Sequence, residues 1–212
     1  MDNLKTSFGK RKLSVALKTS LVQKVFTDVA KKYDVMNDLM SLGAHRLWKN
    51  ELIDLMNIQL TDTIIDVGSG TGDLIDLILN KRIVNSIYSI DLNNEMLKYG
   101  KKRFKNKNVY FVKSNAEKLP FKNDFFDKYT ISFCLRNITD IKKALYEAIR
   151  VLKPGGTFEI ITYMMWEDAK EARKFLVSQP IKNLYIRPRD KDWREQEEDS
   201  NTPTWIIKFT KV

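Results

Sequence analysis

The eight residues DVGSGTGD (66–73) restrict what this chain can fold into more than any others. They overlap the end of a β-branched apolar run, TIIDV (63–67), and lead into DLIDLILNK (73–81), whose apolar residues have helical spacing. SIYSID (86–91) then reads as a second strand, with Asp91 at its end. Gly68, Gly70 and Gly72 let the backbone turn sharply and approach a ligand closely. Asp91 lies 19 residues past Gly72, near the roughly 20-residue offset at which an acid accepts hydrogen bonds from ribose hydroxyls. Strand, glycine loop, helix and acid-ended strand together imply a nucleoside cofactor at the carboxyl edge of an open parallel sheet.

The rest of the chain extends that reading. NNEMLKYGKKRF (93–104) is a helix with Asn93 or Asn94 as cap, and NVYFVKS (108–114) and FDKYTISFC (126–134) are strands. Ile141, Ala144, Leu145, Ala148, Ile149 and Leu152 form one amphipathic helix face, with Thr139 as N-cap. KPGG (153–156) closes that helix and turns into the strand TFEIITYM (157–164). Residues 167–178 read as a helix, and 183–187 and 204–212 as two late strands, the last pair antiparallel. Alternation at this spacing predicts an α/β fold, a doubly wound and mostly parallel sheet of Rossmann-like type. Residues 1–60 read as an N-terminal helical cap, with Leu21, Val22, Val25, Phe26 and Val29 forming an apolar stripe, and residues 61–212 as the cofactor-binding part of one compact domain.

The glycine spacing favours one cofactor class. A dinucleotide site needs G-x-G-x-x-G to bring pyrophosphate to the helix N-terminus. Here the spacing is G-x-G-x-G followed by Asp73, an acid that repels phosphate and suits a cation. S-adenosyl-L-methionine, with an amino-acid moiety and a sulfonium, fits better than a nicotinamide dinucleotide. The expected contacts are Asp66, Gly68 and Gly70 in the loop region, Asp91, the Asn115–Ala116 pair after the third strand, and the SFCLRN stretch (132–137) after the fourth. Arg136 and Asn137 would then face the reacting methyl group.

Composition limits the classes further. Hydrophobic residues make up 43% and charged residues 30% of the 212, as in a globular protein. No apolar run approaches the roughly 18 residues of a membrane span. One cysteine, Cys134, and one histidine, His45, leave neither an intrachain disulfide nor a metal site to expect, and point to a reducing compartment such as the cytoplasm. The net charge is +10, and residues 1–32 carry eight basic against two acidic side chains. That basic face suits either a solvated lysine-rich surface or peripheral contact with the anionic inner face of a bacterial membrane. A nucleic-acid-binding module would rest on charge alone, since the interleaved aromatic and basic surface of a single-strand binder is missing.

Four stretches carry a more specific resemblance: VFTDVAKKYDVMNDLMSLGAHRLWK (25–49), DVGSGTGD (66–73), NAEKLPF (115–121) and ISFCLRNITDIKKALYEAIRVLKPGG (131–156). Together they resemble the ubiquinone/menaquinone biosynthesis C-methyltransferases, which methylate a ring carbon of a polyprenylated benzoquinol or demethylmenaquinol. The resemblance covers about residues 20–160. It implies cofactor contacts at Thr71, Asp91, Asn115, Ala116 and Ser132, and catalytic roles for Arg136, Asn137 and Tyr33. It also implies a prenylated quinol substrate, no metal, and a homodimer or a quinone-biosynthesis complex as the assembled form. Ring methylation of this kind needs positioning and stabilisation of developing phenolate charge. Two departures stand out: Cys134 replaces the family's usual glycine, and from residue 161 the chain no longer matches. Two other readings therefore stand beside quinol methylation: a methyltransferase with another small substrate, and a non-catalytic scaffold subunit on the same fold.

Overall fold

The computed structural model describes residues 5–8, 11–29, 36, 39, 44–105, 107–163, 166–188 and 204–212. Its first elements are the strands β1 (Lys5–Phe8) and β2 (Arg11–Ser14), paired as an antiparallel hairpin. The helical reading of residues 1–60 does not hold there. Helix α1 (Val15–Val29) follows, then α2 (Ala44–Met56). The alternating part begins with β3 (Thr63–Val67), α3 (Asp73–Lys81), β4 (Ser86–Asp91), α4 (Asn94–Arg103) and β5 (Val109–Lys113). It continues with β6 (Phe126–Thr130), α5 (Ile141–Val151), β7 (Leu152–Tyr163), α6 (Trp166–Leu176), β8 (Ile181–Pro188) and β9 (Thr204–Lys211).

Seven of the described strands form one sheet in the order β5–β4–β3–β6–β7–β9–β8. The strands from β5 to β7 are parallel, while β9 lies antiparallel between β7 and β8. The expected mostly parallel sheet with an antiparallel end is thus observed. The chain builds outward from β3 to β5, then returns to lay β6 on the other side of β3. That reversal opens a crevice at the carboxyl ends of β3 and β6, the position where open α/β sheets hold ligands.

The binary pattern of the sequence fixes which helix covers which face. Ala144, Leu145 and Ala148 of α5 and Ala169, Ala172 and Leu176 of α6 bury against Ile65, Tyr129, Phe158, Ile160 and Phe209. Leu52, Ile53 and Met56 of α2 and Leu74, Ile75 and Ile78 of α3 bury against Ile64, Ile87, Ile161 and Ile206 on the opposite face. Strands covered on both faces read as near-continuous apolar runs, as TIIDV does. Several boundaries differ from the sequence reading, among them that of β6, which ends at Thr130 rather than running to residue 134. Strand β7 begins at Leu152, because Leu152 pairs with Phe126 and the strand carries the KPGG turn as an irregularity rather than starting after it. The N-cap of α5 is Asp140, whose side chain accepts from the Lys143 amide, and not Thr139.

Candidate cofactor-binding site

The crevice is a cleft of about 820 Å³, counting the space open to solvent. Its floor comes from the end of β3 and the loop after it, through Val67, Gly68 and Gly70. Gly68 and Gly70 both hold left-handed backbone, at φ 67° and 58°. The Gly70 amide donates to Asp91 Oδ2 at 2.9 Å, and the Asn93 amide donates to Asp91 Oδ1 at 2.7 Å. Burial pushes the Asp91 carboxyl above its usual range, against the pull of the Asn93, Gly70 and Leu92 amides. Each oxygen keeps a second lone pair for hydroxyls of a ligand.

Asn115 and Ala116 line one wall of the cleft, as expected, and Ser132 and Asn137 line another. Phe133 and Cys134 lie between those two. Phe133 takes φ 56°, sparsely populated for an aromatic residue, and its amide is held by Ile161 O at 2.8 Å. Cys134 packs against Gly68, where a Cβ would come within 2.5 Å of the Cys134 Cβ. Burial pushes the Cys134 thiol up to about 12, with Asp91 and Asp66 adding to the effect and Arg136 opposing it.

Three expected residues do not line the cleft. Thr71 is buried behind the loop. Asp66 is buried at the end of β3, and Oδ2 has no hydrogen-bond partner. Arg136 is exposed on the short 3-10 turn Leu135–Asn137, next to the cleft residue Asn137. Tyr33 lies outside the described residues. Asp73 has a role other than attracting a cationic ligand. Its Oδ2 accepts from Lys49 Nζ at 2.6 Å, with His45 Nε2 at 3.7 Å. Burial works against its charged form, but Lys49, His45 and Arg46 outweigh it and hold the carboxyl low. Its effect is to anchor α2 to α3.

A third wall is built by residues of the N-terminal cap that the sequence did not single out as cofactor contacts. Thr19, Val22, Gln23 and Phe26 of α1 close over the cleft. Asn93 ties α1 down: its Nδ2 donates to Gln23 O at 3.1 Å and to Thr27 Oγ1 at 2.9 Å, while its Oδ1 caps α4 through the amides of Glu95 and Met96. Thr19 Oγ1 and Thr139 Oγ1, 3.3 Å apart, make a second tie. Glu117 supports it by accepting from the amides of Thr139 and Asp140 at 3.1 and 3.0 Å. Of the apolar stripe read in the sequence, Val22 and Phe26 are the residues that line the cleft.

A parallel sheet with this strand order, a glycine-lined cleft at its switch point and an acid on the second strand define the fold class of the S-adenosylmethionine-dependent methyltransferases. The structure of geranyl diphosphate C-methyltransferase from Streptomyces coelicolor, solved with S-adenosyl-L-homocysteine, superposes with a TM-score of 0.65 at 15% identity, covering 79% of this chain and 76% of that one. The profile of the ubiE/COQ5 methyltransferase family matches residues 14–174, and the chain belongs to that family. It is 45% identical over 170 residues to the ubiquinone/menaquinone biosynthesis C-methyltransferase UbiE of Vibrio campbellii, covering 77% of this chain and 65% of the relative. The corresponding enzyme of Rickettsia massiliae is 49% identical over 162 residues, covering 72% and 64%. The chain thus matches a little under two thirds of the length of these relatives.

Proposed function

We propose that this protein is a SAM-dependent C-methyltransferase acting on the ring of a polyprenylated quinol, a benzoquinol or a demethylmenaquinol. Family membership together with the geometry around Asp91 carries this reading. The cleft fits the cofactor on its own terms: Asp91 offers half-buried acceptors for ribose hydroxyls, Asn115 and Ala116 offer an edge for adenine, and the left-handed backbone at Gly68 and Gly70 leaves room for close approach. When bound, S-adenosylmethionine supplies an electrophilic methyl group. Ser132 and Asn137 present polar side chains at the cleft wall to orient what lies beside it. Arg136 meets a quinol oxygen from the rim, where its permanently charged guanidinium stabilises developing phenolate charge. Helix α1 excludes water from the reacting atoms through Val22 and Phe26.

Calorimetry with the purified chain should show SAM binding, with Asp91→Ala weakening it at least about tenfold, the loss of strong hydrogen bonds to a charged acceptor. Expression in a strain lacking quinone C-methylation should restore methylated quinones by mass spectrometry. SAM binding without rescue would overturn the quinol reading, and absence of SAM binding would favour the scaffold reading. The membrane contact has its own support. Leu17, Val25 and Leu47 are exposed on α1 and α2, alongside exposed Lys24 and Arg46. Partitioning onto anionic liposomes should therefore fall as salt rises from 0.05 to about 0.5 M, because exposed charge attraction is screened. Salt-independent partitioning would remove the electrostatic part.

A further inference from the structure

The buried side-chain oxygens of the described residues that find no hydrogen-bond partner belong to Asp66, Thr130, Ser132 and Glu159. They are not scattered. Asp66 pairs with Thr130 across β3 and β6, and Thr130 pairs with Glu159 across β6 and β7. Cross-strand partners project to one face of a sheet, so these three side chains form a row under α2. Ser132 follows Thr130 by two residues and lines the cofactor cleft. We infer that these four residues line a hydrated polar passage from the cleft into the sheet, and that the passage takes up the proton lost by the substrate ring carbon. This proton role rests on the quinol methylation proposed above.

The surroundings fit a passage for water rather than a closed salt-bridge network. Lys49, whose charge acts on Asp66, makes its 2.6 Å bond to Asp73 instead. Lys208 gives its short bond, 2.7 Å, to Leu55 O and stands 3.4 Å from Glu159 Oε1. Glu159 Oε2 accepts from Thr157 Oγ1 at 3.0 Å, and Oε1 is left without a hydrogen-bond partner. Neighbouring strands lie about 4.8 Å apart, a gap that one bridging water spans, and a buried water needs 2–4 polar partners. Burial pushes both carboxyls up to about 7. Lys49 lowers and Asp91 and Asp73 raise that of Asp66, while the Thr157 hydroxyl, Lys208 and Lys128 lower that of Glu159. The Asp66 charge also acts on Cys134 and, through the sheet, on Tyr129, whose ring lies on the opposite face, and each carries a raised pKa for which burial is the main cause. Carboxyls poised near neutrality can hold a proton and release it.

The step balances without another reactant. A ring carbon gains the methyl group as the S–CH₃ bond breaks. Its C–H bond then breaks, the electron pair returns to the ring, and the proton passes through water at Ser132 and Thr130 to a carboxylate of the row.

Two measurements on the full chain test this. In the first, infrared spectroscopy at pH 6 follows the protonated carboxyl bands, assigned with Asp66→Asn and Glu159→Gln, after transfer to D₂O. The bands should shift within the mixing time. Exchange as slow as global unfolding would overturn the passage whatever the activity. In the second, Thr130→Val removes the central hydroxyl. It should keep SAM affinity within about twofold by calorimetry and slow single turnover of a short-chain prenylated hydroquinol about tenfold, at the low end for a displaced proton acceptor. The acid limb of its pH–rate profile should move as well. A wild-type rate and pH profile in this variant would overturn the proton role. If the wild type binds SAM yet methylates no quinol, the functional reading and the proton role fall together, and the exchange rates still decide the passage.

Discussion

Gly68 holds φ at 67° directly against Cys134, so two separate demands meet at one α-carbon. The left-handed backbone costs a non-glycine residue roughly 1–2 kcal/mol. An added methyl would also meet the Cys134 Cβ at 2.5 Å, within the loop that floors the cleft, and overpacking of this kind costs about 1–3 kcal/mol more. Gly68→Ala should therefore lower urea-unfolding stability by about 3 kcal/mol. In a Cys134→Gly background the steric part disappears and the backbone part remains, so the same substitution should cost only about 1 kcal/mol. Strict additivity in that double-mutant cycle would show that the two residues do not touch. The cycle also says what a glycine at 134 would change: it relaxes the floor beneath the cofactor without altering any polar contact.

At the scale of elements, α1 is held over the cleft by contacts far away in sequence. Among its described side chains only Val22 is buried, and polar ties join the helix to Asn93 and Thr139. Asn93→Ser separates the two functions of that residue. Serine still caps α4, but it lacks the amide that donates to Gln23 O and Thr27 Oγ1. Losing hydrogen bonds worth about 1 kcal/mol each should speed amide exchange across residues 15–29 about fivefold or more, with residues 94–103 unaffected. Equal acceleration in both helices would mean that the cap, not the tether, was lost. Asn93 also shows where reading the sequence stops. Its capping role was legible because a cap is local, as were β3, α3, β4 and the apolar face of α5, where period and turn residues agree. Its grip on α1, 66 and 70 residues away, was not. Non-local partners explain the other differences too. Thr139 faces Thr19, so capping falls to Asp140. Asp73 binds Lys49, so it is not left for a ligand. Leu152 pairs with Phe126, so β7 starts ahead of its glycines.

Across the whole molecule the carboxyls fall into two groups with opposite effects on stability. Asp66 and Glu159 are pushed up to about 7 by burial, and Asp91 is raised for the same reason. The folded chain therefore keeps protons that the unfolded chain releases above about pH 4. Where the native state binds more protons, stability falls as pH rises. The contribution of Asp66 and Glu159 is fully present near pH 4, declines through pH 5 and 6, and is gone above about 7. Asp73 is held low by Lys49, His45 and Arg46 against its burial, and Glu147 is held low by Arg150 and the Leu119 amide against its own. These two act in the other direction, losing their stabilisation only when pH drops below the ordinary carboxylate range. Stability should thus peak between about pH 4 and 5, and the melting temperature should be lower at pH 8. Glu159→Gln removes one titrating group while keeping its shape. The shift from 4.5 to about 7 corresponds to at most on the order of 3 kcal/mol between those pH values, with water in the row reducing it. The variant should therefore flatten the decline between pH 5 and 8 and leave the acid side unchanged. A wild-type melting temperature that rises from pH 5 to pH 8 would mean that Asp66 and Glu159 are ionised in the native state at neutral pH, held by charges stronger than Lys49 and Lys208 provide.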